Sequence, residues 1–287
     1  MRTIPPRAWV PLFKKTFAAW SDDYAASMGA AIAYYTIFSL APLLVIVLAV
    51  AGLVFGRDAA AGELFGELKG FLGSDGAIAI QALVESASHS GQGVVSIIAS
   101  IAVMVFGATG VFSELQSAID RIWKVPKRAR SSTWIELLRT RLLAFGMVLS
   151  VAFLLVVSLA ISAGISAMGA VWNRWIGGWE LVLQLVNVTT SLIIFTGVFA
   201  AMYRFLPRAQ IPWRDVWLGA SITAAMFVIG KFLIGLYIGK SGILSGFGAA
   251  GSIVTLLIWV YYSAQIFLLG AEFTRIHSQG TSADSQN

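Results

Sequence analysis

The sequence contains no cysteine and few charged residues. Without cysteine the chain forms no disulfide, and it uses neither a thiolate nucleophile nor a cysteine-ligated zinc site. Only 12% of the residues are charged, which is about half the usual share in a soluble globular domain. Hydrophobic residues instead make up 58% of the chain, and its mean hydropathy is +0.81. This composition excludes a soluble domain and predicts a protein of the lipid bilayer.

Long apolar runs with few charges predict an all-α, polytopic membrane protein. Each run is longer than the roughly 20 residues that a helix needs to cross the hydrocarbon core, and only helices or closed barrels satisfy their backbone groups there. Asp22 and Asp23 precede the first run as plausible helix caps. We predict one transmembrane domain over residues 1–277 and a disordered cytoplasmic tail over residues 278–287. The six predicted transmembrane helices are 24–56, 92–114, 138–168, 181–204, 215–239 and 248–275.

Lysine and arginine positions predict the orientation. Of the 20 such residues, fifteen lie in the N-terminal arm, the second and fourth connections or the tail, whereas four lie in the remaining connections. By the positive-inside rule both termini are cytoplasmic. The positive charge is suited to anionic lipid head groups, so the predicted partners are membrane lipids, anionic phospholipid among them, rather than nucleic acid. The sequence also leaves open whether the protein forms an oligomer or binds an envelope protein.

Two connections show helical periodicity. In the first outer connection, residues 62–73 and 75–91 predict a pair of short amphipathic helices that lie at the interface or cap the bundle. In the first inner connection, residues 114–130 place Leu115, Ile119 and Ile122 on one helical face before a basic stretch broken by proline. We predict an amphipathic helix in the head-group layer there. A solvated basic loop is the alternative.

Four stretches carry a resemblance to a known family. They are "AAIAYYTIFSLAPLL" (30–44), "GATGVFSELQSAIDRIWKV" (107–125), "YRFLPRAQIPWRDVWLGA" (203–220) and "GSIVTLLIWVYYSAQIFLLGAEFTR" (251–275). Together they resemble the YihY/BrkB family of bacterial inner-membrane proteins. The resemblance implies six transmembrane helices in the inner membrane of a Gram-negative-type envelope. Members have been called virulence or serum-resistance factors, some were once labelled ribonuclease, and relatives have been tied to the movement of envelope lipids.

The residues themselves disfavour the ribonuclease label. A metal-dependent nuclease needs clustered His, Asp and Glu side chains, whereas His89 and His277 are predicted on opposite faces of the bilayer. The stretch 246–251, "GFGAAG", matches a dinucleotide-binding pattern, but it follows no predicted strand and lies in an outer loop. The sequence therefore predicts no enzyme, no metal and no cofactor.

Polar residues inside the predicted spans are the candidate site residues. Two stripes at helical spacing and two polar clusters near mid-membrane should face protein or water rather than lipid. Pro42 is expected to kink the first span beside its tyrosines. Interhelical packing explains each stripe alone, and a cavity explains them if several converge. The candidates are Tyr34, Tyr35, Ser39, Pro42, Ser158, Ser162, Gln184, Asn187, Ser191 and Gln265.

Lys231 is the cation within the predicted span 215–239. It lies about 12 Å along the helix axis from the outer end, a depth from which its ammonium could snorkel to the interface. Alternatively it faces a cavity and meets an external anion such as a lipid phosphate. On the second interpretation the protein moves or presents a lipid or another amphiphilic anion. A non-transporting membrane scaffold associated with virulence is the alternative function, and ribonuclease activity is the third.

Overall fold

The computed structural model of the protein describes residues 9–56, 58–59, 61–62, 64–66, 68–69, 77–78, 80–82, 84–85, 110–126, 179–209, 211–240 and 251–284. Within these residues all regular structure is helical, as the sequence predicts. We label the helices used below α1 (Trp9–Asp22), α2 (Ala25–Phe55), α3 (residues 110–122), α4 (Trp179–Phe205), α5 (Trp213–Lys240) and α6 (Gly251–Asp284). Helix α6 packs against α1, α2 and α5, and α5 also packs against α4.

Helices α2, α4, α5 and α6 occupy four of the predicted spans. In α4 and α6 the stretches Val188–Phe205 and Ile253–Gly280 are long and apolar enough to cross a bilayer, and Ala25–Phe38 of α2 is a shorter apolar stretch. The predicted span 138–168 lies outside the described residues, and 92–114 overlaps them only from residue 110. The total of six spans therefore stays a prediction.

The last helix is longer than the sequence predicts. Helix α6 continues to Asp284, well into the segment 278–287 for which the polar composition predicts disorder. Once a helix is nucleated, each added residue costs little because it gains a backbone hydrogen bond as it is fixed. The packed part of α6 can therefore extend into a segment whose own composition does not favour a helix.

The N-terminal helix α1 is absent from the predicted elements. It ends at Asp22 and joins α2 through Asp23 and Tyr24, whose φ of 58° is left-handed. Tyr24 is the N-cap of α2 and makes no side-chain cap hydrogen bond, so the prediction that Asp22 and Asp23 cap this helix is wrong. Trp9 of α1 stacks on Phe273 of α6 with ring centroids 6.2 Å apart.

Helix α3 confirms a helix in the first inner connection but corrects its surroundings. Its apolar face, with Ile119 and Ile122 fully buried, belongs to a hydrophobic core cluster with residues of α2, α4, α5 and α6. This face therefore packs against protein, not against lipid head groups. The helix ends where Lys124 adopts a left-handed φ of 52° and the N–H of Val125 bonds to the carbonyl of Asp120 at 2.9 Å, a Schellman motif.

The described part of the first outer connection is also helical. Its buried residues Leu64, Ile80 and Val84 join a second cluster with residues of α2 and α6, among them Leu44 and Leu256. These segments therefore pack onto the helix bundle through their apolar faces, which favours the capping interpretation of this connection.

Candidate functional site

A cleft of about 360 Å³ lies between α1, α5 and α6. Its walls are almost entirely apolar, and it is open on one side. A cavity of this size is at the small end of the range for ligand pockets, roughly 300 to 1,000 Å³. The lining residues are Phe17 and Trp20 from α1, Met226, Ile229 and Gly230 from α5, and Tyr262, Gln265, Ile266 and Leu269 from α6.

Two glycines allow the polar residues of this region to approach the neighbouring helices. A Cβ at Gly230 would lie 2.7 Å from the Tyr262 hydroxyl oxygen, so only glycine lets α6 pack this closely on α5. A Cβ at Gly29 of α2 would lie 2.0 Å from Gln265 Nε2. The Gln265 side chain therefore reaches the backbone of α2 through the gap that Gly29 leaves.

Gln265 is oriented by backbone carbonyls at the start of α2. Its Nε2 donates weakly to the carbonyl oxygens of Ala26 and Ala25, at 3.4 and 3.5 Å. Since carbonyl oxygens accept and do not donate, these contacts fix which end of the amide is nitrogen. The other end, Oε1, is buried and has no hydrogen-bond partner among the described residues.

Trp20 supplies a complementary polar atom to the same cleft. Its indole Nε1 is buried and, within the described part of the chain, lacks an acceptor. A buried polar group without a partner costs about 1 to 3 kcal/mol. Trp123, Thr255 and Trp259 also carry buried atoms without partners, but they do not line the cleft. What distinguishes this site is that two of its lining residues, Trp20 and Gln265, carry a buried donor and a buried acceptor without partners among the described residues.

A buried ion cluster fastens the α1–α2 turn to α6 near the cleft. Arg275 donates to Glu272 Oε2 from Nη2 at 2.8 Å and from Nε at 3.1 Å, and its Nη2 lies 3.8 Å from Asp23 Oδ2. Glu272 is fully buried, and its Oε1 has no hydrogen-bond partner among the described residues. Charged groups inside a membrane protein are expensive unless paired, and they usually mark function. The cluster holds two carboxylates for one guanidinium.

Of the predicted candidates whose side chains are described, Gln265 is the one that lines the cleft. Tyr34 is 58% exposed and meets Tyr35 edge to face at 5.5 Å, while Tyr35 lies against Gly110 of α3. Ser191 is half-buried on α4. The structure places Ser39 and Pro42 on α2, Gln184 and Asn187 on α4 and Lys231 on α5, but their side chains lie outside the described residues, as do Ser158 and Ser162 altogether.

Comparison with known proteins assigns the chain to a family. Residues 16–287 match the family model described as virulence factor BrkB. The chain belongs to this family. It is 28% identical over 88% of its length to a UPF0761 membrane protein of Stenotrophomonas maltophilia, and 26% identical over 92% to one of Azotobacter vinelandii. It covers only 57% and 61% of the lengths of these two relatives. No solved structure matches it.

The family resemblance seen in the sequence is thereby confirmed, and this BrkB-family chain is a membrane protein. Three of the quoted motifs meet at the α4–α5 connection. Gln116 of α3 donates to the Leu206 carbonyl at 3.1 Å, and Asp120 of α3 accepts from the backbone N–H of Arg208 at 2.9 Å. Tyr203 at the end of α4 donates to the carbonyl of Phe267 in α6 at 2.7 Å.

The sequence alone predicts neither α1 nor a place for Trp20 and the ion cluster in the site. Trp20 matches the general expectation of tryptophan near a span end, so nothing in its position distinguishes it from an interfacial anchor. Glu272 did carry a signal, because an acid three residues before an arginine in an otherwise apolar helix indicates a buried pair.

Proposed function

We propose that this BrkB-family protein binds a membrane lipid, or another amphiphile, in the cleft between α1, α5 and α6 and presents or moves it at the inner membrane. The observation that carries the proposal is that two residues lining one apolar cleft, Trp20 and Gln265, carry a buried donor and a buried acceptor without partners among the described residues. Apolar walls suit an acyl chain, and a hydroxyl or amide of a lipid pairs with a donor and an acceptor together.

Helix α1 gives the cleft one of its walls. The helix contributes Phe17 and Trp20 to the cleft, and it joins the bundle through the two-residue turn at Asp23 and Tyr24. Since both polar atoms are covered by their neighbours, a small displacement of α1 or a side-chain rotation must precede their pairing with a ligand. The contact of Asp23 with Arg275 would hold α1 against α6.

Lipid retention by the purified protein tests this proposal. Gln265→Leu removes the unpaired acceptor, and Ile229→Trp fills the cleft from a position that is 60% exposed and therefore tolerates a larger side chain. We expect Gln265→Leu to retain about fivefold less lipid per mole than the wild type after a detergent wash, the effect of roughly one hydrogen bond. Ile229→Trp should also retain less lipid, because the larger side chain occupies the cleft. The measurement is mass spectrometry of the bound lipids.

Gln279→Leu is the matched control, because Gln279 lies on the same helix, is exposed and is absent from the cleft lining. It should retain lipid as the wild type does. Equal retention in all four proteins would contradict lipid binding in the cleft and favour the alternative of a non-transporting membrane scaffold.

A further inference from the structure

An exposed aromatic surface lies where α4 ends and α5 begins. Phe205, Trp213 and Trp217 are 56%, 45% and 49% exposed. Trp213 stacks on Trp217 with ring centroids 6.3 Å apart and meets Phe205 edge to face at 6.0 Å. We call these rings, with Arg204 and Arg214, the aromatic–arginine platform. None of its members lines the cleft.

The platform is held in place by the connection beneath it. Leu206 and Ile211 of this connection are buried at 6% and 0% exposure, and the Arg204 guanidinium donates to the Ile211 carbonyl. The hydrogen bonds from α3 described above fix the same connection. The rings are therefore presented by a rigid support, so little conformational entropy is lost when a ligand covers them.

The platform carries more positive than negative charge. The Arg204 guanidinium lies 5.7 Å from the centre of the Trp213 ring, a cation–π distance. Arg214 is exposed, and among the described residues neither arginine forms an ion pair. The nearby acids do not pair with these arginines. Asp120 lies 3.9 Å from the Arg208 side chain, and Asp215 is buried. Arg204 and Arg214 therefore have no acidic partner among the described residues, and Arg204 lies against an exposed ring.

We infer that the platform is a binding site for the phosphate head group of an anionic phospholipid of the cytoplasmic leaflet. Guanidinium groups match phosphate in charge and geometry, and tryptophan rings settle at the head-group level of a bilayer. A soluble anion would satisfy the arginines but leave the three rings in water, whereas a lipid covers both. This site is independent of the cleft, since it shares no residue with it.

Quenching of tryptophan fluorescence by brominated lipid tests the inference. The protein is placed in phosphatidylcholine nanodiscs that contain increasing fractions of brominated phosphatidylglycerol or, separately, brominated phosphatidylcholine. The platform signal is the quenching in the wild type minus that in the Trp213→Phe/Trp217→Phe double variant. We expect half-maximal quenching at a fraction of phosphatidylglycerol at least about fivefold lower than of phosphatidylcholine.

Arginine variants distinguish binding at the platform from a general attraction between the protein's positive charge and anionic lipid. Arg214→Gln should lower the preference for phosphatidylglycerol about fivefold, the effect of one cation near an anionic surface. Lys14→Gln/Lys15→Gln, which removes two exposed cations of α1 outside the platform, should leave it unchanged. Equal quenching by both lipids, or an equal loss in the lysine variant, would overturn the inference. Displacement by soluble glycerol phosphate would overturn the assignment to a lipid.

Arg214→Gln is the decisive variant because Arg214 is exposed, so folding does not depend on it. Arg204→Gln is the second variant, and it also removes a contact to the Ile211 carbonyl. The proposal for the cleft and the inference for the platform are contradicted by different results. Loss of lipid retention in Gln265→Leu with no head-group preference at the platform would contradict the platform alone, and the reverse result would contradict the cleft alone.

Discussion

Polar side chains are hydrogen-bonded at the interface of α4, α5 and α6, whereas at the cleft beside α1 two of them carry buried atoms without partners among the described residues. At the interface the Tyr203 hydroxyl donates to the Phe267 carbonyl and lies 3.0 Å from Thr223 Oγ1. Thr223 in turn donates to the Gly219 carbonyl at 2.8 Å. At the cleft, by contrast, Trp20 Nε1 and Gln265 Oε1 have no partner among the described residues.

This difference indicates which of the two regions is packed for stability. Where helices meet over glycines and the hydroxyls of Tyr203 and Thr223 are bonded, van der Waals contact and interhelical hydrogen bonds stabilise association in lipid. Where a donor and an acceptor stay unpaired beside open space, stability is lost, and a ligand is the natural means of recovering it. The variants below test this contrast by disrupting the paired region and by altering the cleft side.

Arg275→Met should have the largest effect on stability. It leaves the fully buried Glu272 and its neighbour Asp23 without their shared cation. Loss of one partner from a buried ion pair costs about 3 to 5 kcal/mol. We expect a lower midpoint in thermal or denaturant unfolding of the detergent-solubilised protein. Arg121→Met, at an exposed position of α3, is the control and should unfold like the wild type.

The free energy of unfolding would not change in Arg275→Met if the cluster did not hold α1 to α6. In that case α1 would be fixed by its aromatic contacts alone, such as that of Phe13 with Phe273 at 5.6 Å. The proposal that the contact of Asp23 with Arg275 holds α1 against α6 would then lose its basis.

Gly270→Ala should destabilise the packed interface by a smaller amount. A Cβ at Gly270 would lie 1.9 Å from Thr223 Oγ1 and 2.5 Å from the Tyr203 hydroxyl oxygen, so α5 and α6 must separate. Overpacking of this kind costs about 1 to 3 kcal/mol. The same substitution at Gly197 of α4 meets nothing within 4 Å. There we expect stability unchanged or raised by about 0.5 to 1 kcal/mol, because alanine favours the helix.

Denaturant unfolding of the two alanine variants measures this contrast directly. Because the substitution is identical and both glycines are helical, intrinsic propensity cancels between them. Equal stability of Gly270→Ala and Gly197→Ala would mean that α5 and α6 do not approach as closely as the structure shows.

Most of the described helix bounds follow from the sequence because charge and apolar length determine them. The predicted span 215–239 corresponds to Trp213–Lys240, and 181–204 corresponds to Trp179–Phe205. Helix α1 is not predicted because the pattern of its apolar and polar residues is misleading. Its apolar Val10 and Phe17 are 64% and 62% exposed while Thr16 is buried. Exposed apolar residues and a buried threonine suit a helix with one face toward lipid. They do not follow the rule that apolar residues face the protein core.

The site was predicted only in part, because its contacts join residues far apart in the chain. Gln265 could be proposed from its depth in an apolar span, since a polar residue there must face protein or water. Its partner atoms belong to α2, and the sequence alone does not indicate that Gly29 leaves room for its amide. Asp23 likewise is predicted as a helix cap from its local position, whereas its charge pairs with Arg275 on the last helix.

Lys231→Met should have the smallest effect on stability and a clear effect on bound lipid. Lys231 follows Gly230, which lines the cleft, and the predicted outer end of its helix is about 12 Å away. If the ammonium meets an anionic lipid, replacing it with a neutral side chain of similar length removes the charge but keeps the apolar stem. We expect unfolding like that of the wild type and about fivefold less anionic lipid retained, as for one cation near an anionic surface.

Lys240→Met is the matched control, because Lys240 is the last residue of the same helix and lies beyond Gly230 by more than two turns. Anionic and zwitterionic lipids are quantified separately in each variant. A selective loss of anionic lipid in Lys231→Met would place the cation at the ligand. An equal loss in both variants, or none in either, would leave snorkelling as the explanation of Lys231, and the unpaired atoms of Trp20 and Gln265 would then recognise a neutral part of the lipid.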